Sequence, residues 1–244
     1  MTPQILSSYQ PGAHNENLDA AIARLEAEGA YRDLSTIIVV PALGTVPTKV
    51  VASWLSMYSP PNQRVVRMFA LGMEVGAAYS RTIEQVLANP DLAHYKYLIT
   101  LEHDNVPPPD GIPRLLNQME RHPEYAVISG LYFTKGPGGV AQMWGDPTDP
   151  VLNFRPIVPR PDALIEVNGT GMGFAAWRLS MFKDANLRRP WFQTTSSQYQ
   201  GAYTQDLYFA TDAKKHGYRF AVDCSIKVGH HDAAGTFGPA DFTW

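Results

Sequence analysis

Cysteine is nearly missing: Cys224 is the single one in 244 residues. That excludes an internal disulfide framework and any zinc site built of several thiolates. No apolar run approaches the ~18 residues of a membrane span, and the opening MTPQILSSYQPG lacks the charged-then-apolar plan of a secretory signal. A soluble, cytoplasmic chain is therefore expected. Excess charge of one sign is absent too. Twenty Lys+Arg stand against 23 Asp+Glu, a formal net charge of -3, which argues against a protein held to nucleic acid mainly by a basic surface. There is no internal repeat and no low-complexity segment. What remains is ordinary globular composition, 45% hydrophobic and 18% charged, with ample length for a core. One domain fits better than two.

Residues 1–16 are polar and turn-rich and read as a loosely attached arm. From Asn17 to Gly29, Leu18, Ile22 and Leu25 recur at helical spacing, with Asn17 placed to cap and Gly29 to stop. STIIVVP (35–41) has the look of a buried parallel strand. The strands RVVRMFAL (64–71), YKYLITLEHD (95–104) and YAVISGLYFT (125–134) follow. Helices KVVASWLSMYS, VGAAYSRTIEQVLA (75–88) and IPRLLNQMERH (112–122) lie between and after them. Such alternation predicts an α/β domain with a mostly parallel sheet flanked by helices and ligands at the carboxyl ends of its strands. Residues 135–162, rich in Pro and Gly, read as an ordered loop with a hairpin. Then come LIEVNG as strand, GFAAWRLSMF as helix, TQDLYFATDAKKHG as helix, RFAVDCSIKVGH as strand and a Gly-rich tail.

Four stretches carry candidate chemistry. Glu102-His103-Asp104 ends an apolar strand, and in an extended chain residues i and i+2 face one side, so Glu102 and Asp104 can present oxygens to one hard cation such as Mg2+ or Mn2+. Acids after a strand also cap helices or face water, and the pattern alone leaves both readings open. His230-His231-Asp232 follows another strand; imidazole suits Mn2+ or zinc, or a structural role. Gln205-Asp206 opens a helix, where an acid is either a cap or a general base. Gly169-Thr170-Gly171-Met172-Gly173 would let backbone pass close to a substrate, or form an anion nest at a following helix. It lacks the context of a dinucleotide site, and Pro41-Ala42-Leu43-Gly44 lacks the Gly-Lys-Ser/Thr of a P-loop.

In their order, these pieces resemble the GT-A glycosyltransferases over roughly residues 35–232, and among them the family 2-like transferases, including short soluble forms of phages and bacteria. The resemblance implies a single GT-A-like (Rossmann-like) domain over 35–232, an arm and helix over 1–34 and a tail over 233–244. It implies that Glu102-His103-Asp104 stands for the family's Asp-x-Asp motif, binding metal and nucleotide diphosphate, with Glu where the family has its first Asp. It implies His230 as a further metal ligand, with His231 the neighbouring alternative, and Asp206 as catalytic base, with Gln205 where a second acid is usual. Pro41, Ala42 and Leu43 would contact the nucleotide base. Arg81 in Tyr79-Ser80-Arg81-Thr82 would face the donor, with Thr82 in place of the usual Asn. Gly169 to Gly173, Trp191 and Gln205 would line the acceptor side.

The activity so implied is metal-dependent transfer of a sugar, hexosyl or pentosyl, from a nucleotide-diphosphate donor to an acceptor hydroxyl. Mn2+ or Mg2+ is the cofactor, a UDP-sugar the favoured donor and inversion the expected outcome. The likeness to phage forms suggests a hydroxymethylated DNA pyrimidine as acceptor, in the host cytoplasm, with a saccharide equally open. Arg188-Arg189 and Lys214-Lys215 would touch phosphate in the first case and are solvated surface pairs in the second. The other classes weighed are a metal-dependent nucleotide-sugar hydrolase and a non-catalytic nucleotide-sugar-binding module.

Overall fold

The computed structural model describes residues 1–9, 16–197, 201–232 and 235–237; most of the tail expected over 233–244 lies outside the described residues. Eight strands build the central sheet: β1 (Gln4–Ser7), β2 (Thr36–Ala42), β3 (Val65–Leu71), β4 (Tyr97–Leu101), β5 (Val127–Leu131), β6 (Leu164–Val167), β7 (Phe174–Arg178) and β8 (Phe220–Lys227). Their spatial order is β1-β3-β2-β4-β7-β5-β8-β6. β2 pairs in parallel with β3 and β4, and β5 with β8; the other pairings are antiparallel. Five strands, β2–β5 and β8, therefore point one way, giving a mixed, largely parallel sheet.

Among the described residues five α-helices accompany it: α1 (Glu16–Ala27), α2 (Thr48–Ser56), α3 (Val75–Ala88), α4 (Gly111–Arg121) and α5 (Gln205–Lys215). The sheet is buried on both faces, which is why β2 reads as one continuous apolar run. Ile37 and Val39 join the core beneath Tyr79, Ile83 and Val86 of α3 and Phe209 and Ala213 of α5. Ile38 and Val40 join Ile112, Leu115, Leu116 and Met119 of α4 on the other face. In α4 those four side chains recur every three or four residues and form one apolar stripe.

Three expectations change. Residues 173–182, read as a helix, are β7 followed by a 3-10 turn at Leu179–Lys183. A short apolar run does not distinguish helix from buried strand by periodicity; here tertiary pairing decides. β7 is hydrogen-bonded on both edges, Phe174 opposite Leu101 and Ala175 opposite Ser129. Its side chains alternate, Ala175 and Trp177 into one core, Phe174 and Ala176 into the other. The start of the chain is not a loose arm throughout, since Gln4–Ser7 pairs with Met68–Leu71 of β3 as an edge strand. Asn17 sits inside the first turn of α1 rather than capping it, while Gly29, at φ +65°, ends the helix as expected.

Candidate active site

The parallel strands β3, β2 and β4 lie side by side and end together. At their carboxyl ends a cleft of about 330 Å³ is lined by Pro41, Ala42 and Leu43 at the end of β2, Met73, Glu74 and Val75 after β3, and Glu102, His103 and Asp104 after β4. Six of these nine were read from sequence. Met73, Glu74 and Val75 were not; the available signal was Gly72, at φ +67°, between a strand and a helix opened by an acid. Glu74 caps α3 by accepting the Ala77 N–H at 2.9 Å, and its other oxygen accepts the Thr194 hydroxyl at 2.9 Å.

Glu102 and Asp104 do not sit in extended chain. The Asn105 N–H donates to the Glu102 carbonyl at 3.0 Å, closing a turn over 102–105, so it is a turn and not strand alternation that brings both acids to the cleft. Asp104 turns toward Lys135 and His230: Lys135 Nζ lies 2.6 Å from Asp104 Oδ2, and His230 Nε2 lies 3.5 Å from the same oxygen. Burial pushes the Asp104 carboxyl up, but the His230 ring and the Lys135 ammonium outweigh it and hold it well below the usual carboxylate range. Glu102 faces the other way electrically. Burial first, then the charges of Asp104 and Asp206, push its carboxyl up to about 8.

His230 is delivered by a small ladder. Gly229–Asp232 pairs with Asn105–Val106, His230 opposite Asn105, and on its other edge with Gly235–Phe237. The His231 N–H donates to the Asp104 carbonyl at 2.7 Å, and the His230 ring meets the Asp104 carboxylate. His230 Nδ1 lies 2.8 Å from the Phe133 carbonyl; that carbonyl can only accept, so Nδ1 carries the proton and Nε2 faces Asp104.

Asp206 stands in the first turn of α5, only 7% exposed, and its Oδ1 has no hydrogen-bond partner among the described residues. Burial raises its carboxyl above the ordinary value, against the Thr204 hydroxyl and backbone N–H groups that lower it. Behind Glu102 and Asp206 lie Tyr79 and Tyr132, both fully desolvated and raised well above the usual phenol by burial and by these acids. Sequence reading missed the phenols, because nothing marks a buried tyrosine as near an acid distant in the chain.

Other expected site residues have different surroundings. Gly169, Thr170, Gly171, Met172 and Gly173 are buried, no helix follows them, and the glycines make room for protein atoms. A side chain at Gly171 would meet the Tyr132 hydroxyl at 2.0 Å, and one at Gly173 would meet Asn105 Oδ1 at 2.5 Å. Trp191, 1% exposed, packs edge-on against Phe182 beneath the Arg189 guanidinium and belongs to the core. Arg81 is exposed on α3 and does not line the cleft, while Thr82 is buried and donates to the Ala78 carbonyl of its own helix. Gln205 is the half-buried first residue of α5.

No three His, Cys, Asp or Glu side chains gather into a metal cluster among the described residues. Two donors do converge, Asp104 Oδ2 and His230 Nε2. A carboxylate with an imidazole whose second nitrogen is tied to a backbone carbonyl is a donor set suited to Mn2+, and hard divalent ions complete their shells with water and phosphate oxygens. The pair fits such an ion as a two-ligand site.

No family's sequence model matches the chain, and no curated protein matches it. Among solved structures it is similar to A197 from STIV, with TM-score 0.59 and 18% identity over 85% of this chain and 92% of that one. It is similar as well to GalNAc-T7, solved with UDP, GalNAc and Mn2+, with TM-score 0.54 and 12% identity over 89% of this chain. The match takes in 53% of the GalNAc-T7 chain. What these likenesses show is the fold: this chain is an α/β protein of GT-A-like architecture.

Proposed function

We propose that the chain is a glycosyltransferase that takes a nucleotide-diphosphate sugar, a UDP-sugar in first place, in the cleft beyond β2, β3 and β4. The observation that carries this is that Glu102 and Asp104 line the cleft at the carboxyl ends of adjacent parallel strands, the position where open α/β sheets bind ligands, with the His230 ring against Asp104. Solved with UDP, GalNAc and Mn2+, GalNAc-T7 gives the reading its precedent in a similar fold.

In this reading Pro41, Ala42 and Leu43 receive the nucleotide base on a largely apolar wall. Asp104 and His230 would hold Mn2+ or Mg2+, whose contribution is to offset the charge of the diphosphate leaving group. The proton is handled by the chain. Asp206, buried and with one oxygen unpartnered, accepts it from the acceptor hydroxyl, and its raised carboxyl brings its affinity closer to the operating range. Glu102, protonated below about pH 8 in the metal-free protein, spares Asp206 a second negative charge nearby. In-line attack from that side gives inversion. The acceptor we assign is a hydroxyl, of a saccharide or of a hydroxymethylated DNA pyrimidine.

A thermal-shift panel of nucleoside diphosphates and nucleotide-sugars, each with Mn2+ and with EDTA, tests the donor site. A Mn2+-dependent rise for one diphosphate, lost in Asp104→Ala, supports it and names the base; saturating a site to 100 times its Kd adds about 2.7 kcal/mol. No rise with any nucleotide in folded protein sinks the transferase reading. Release of free sugar without any acceptor would move the assignment to a hydrolase.

A further inference from the structure

Lys135 was singled out by no motif, yet its ammonium makes the shortest contact at the site. Nζ lies 2.6 Å from Asp104 Oδ2, the same oxygen that His230 Nε2 approaches to 3.5 Å. An ion held between Asp104 and His230 would share that oxygen with the ammonium, and two cations on one oxygen repel at short range in a half-buried place.

The backbone around Lys135 is built to hold the residue while leaving its arm free. The Thr134 N–H donates to the Val140 carbonyl at 2.9 Å, and the Val140 N–H donates back to the Thr134 hydroxyl at 2.8 Å. Phe133 bridges Ala141 just below, and its carbonyl accepts the hydrogen bond from His230 Nδ1. Above this base the tip turns at Gly136 (φ +89°) and Gly138 (φ +73°), and open space surrounds both. The Lys135 side chain is 38% exposed where Asp104 is 16%. The ammonium is thus a compact charge on a flexible stem beside a fixed acid.

We propose that Lys135 is a resident counter-cation that competes with the divalent ion for Asp104, so that metal entry requires the ammonium to swing out. This rests on the placement of the ion at Asp104 and His230, and it goes beyond that reading by naming the group that opposes it. In the metal-free protein the Lys135 ammonium occupies the Asp104 oxygen that the ion would take; displaced, it is left at the cleft mouth.

The test is Mn2+ binding without nucleotide, followed by the loss of the free-ion electron paramagnetic resonance signal. Lys135→Gln, which keeps a donor but loses the charge, binds Mn2+ at least tenfold more tightly than wild type, and Lys135→Arg does not. In wild type, acetylation of Lys135 read by mass spectrometry rises when Mn2+ is added. Equal Mn2+ affinity in Lys135→Gln and wild type, or labelling indifferent to Mn2+, overturns the inference. So does a tightening that survives in Lys135→Gln with Asp104→Asn, because the ion then binds elsewhere. The nucleotide-induced melting shift is read separately and bears on the transferase reading alone, so the two can fail independently.

Discussion

Phe133 decides which nitrogen of His230 faces Asp104. Its carbonyl holds Nδ1 at 2.8 Å, leaving Nε2 3.5 Å from the carboxylate. A glutamine at position 230 has no ring with two opposed nitrogens and cannot make both contacts at once. His230→Gln is therefore expected to weaken Mn2+ binding by at least about tenfold, the scale on which even groups behind a metal ligand act. Calorimetric titration with Mn2+ checks this, and unchanged affinity would remove His230 from the ion's shell.

Asp206→Asn keeps the size of the buried side chain and removes its basicity. Transfer should fall on the order of 10²–10⁴-fold, the usual contribution of general base catalysis, while the donor's thermal shift stays. A transfer assay and a melting curve on the same preparation separate the two. Full activity in Asp206→Asn would hand the proton to another group.

The Glu102 carboxyl gives a pH signature. It titrates near 4.5 in the unfolded chain and near 8 in the fold. Between those values the folded state holds the extra proton, so stability falls as pH rises and levels off above about 8. Asp206, also raised, acts in the same direction; Asp104, depressed, adds stability that is lost only in acid, as pH falls below the ordinary carboxylate range. Melting temperatures in EDTA from pH 5 to 9 should decline, and Glu102→Gln should flatten the decline. A slope identical in the two proteins would show that Glu102 is ionised throughout.

Gly171 and Tyr132 form a packing pair. The Tyr132 hydroxyl accepts the Gly173 N–H at 2.9 Å and fills the space beside Gly171. Gly171→Ala should cost about 1–3 kcal/mol through overpacking. Combined with Tyr132→Phe, which removes the obstructing oxygen, the loss should be smaller than the sum of the single losses. Urea unfolding of the four proteins measures the coupling.

Much of this architecture is legible in the sequence, for identifiable reasons. The run Thr36–Ala42 is apolar throughout because both sides of the sheet are covered, and Val75–Ala88 has helical periodicity with an acid placed to cap it. The strand Phe174–Arg178 was illegible because its partners Leu101 and Ser129 are some 45 to 75 residues away, and pairing rather than local pattern made it a strand. Asp104 was legible as an acid just beyond a strand, and His230 as a histidine close after one. The turn that brings Glu102 and Asp104 to the cleft, and the reach of Lys135 across to the acid, follow from hydrogen bonds that composition does not encode. Trp191 shows the opposite error: expected on the acceptor side, its ring lies in the core.

The ladder that brings Gly229–Asp232 against Asn105–Val106 joins segments more than 120 residues apart, clasped also by the Asn105 side-chain amide on the Gly229 carbonyl at 3.4 Å. Contacts of such sequence separation form late, after the intervening chain has been ordered. A chain emerging from the ribosome carries Asp104 long before it carries His230, and in that interval Lys135 is already available to neutralise the acid. The contact between the Asp104 carboxylate and the His230 ring can close only once synthesis has passed residue 230.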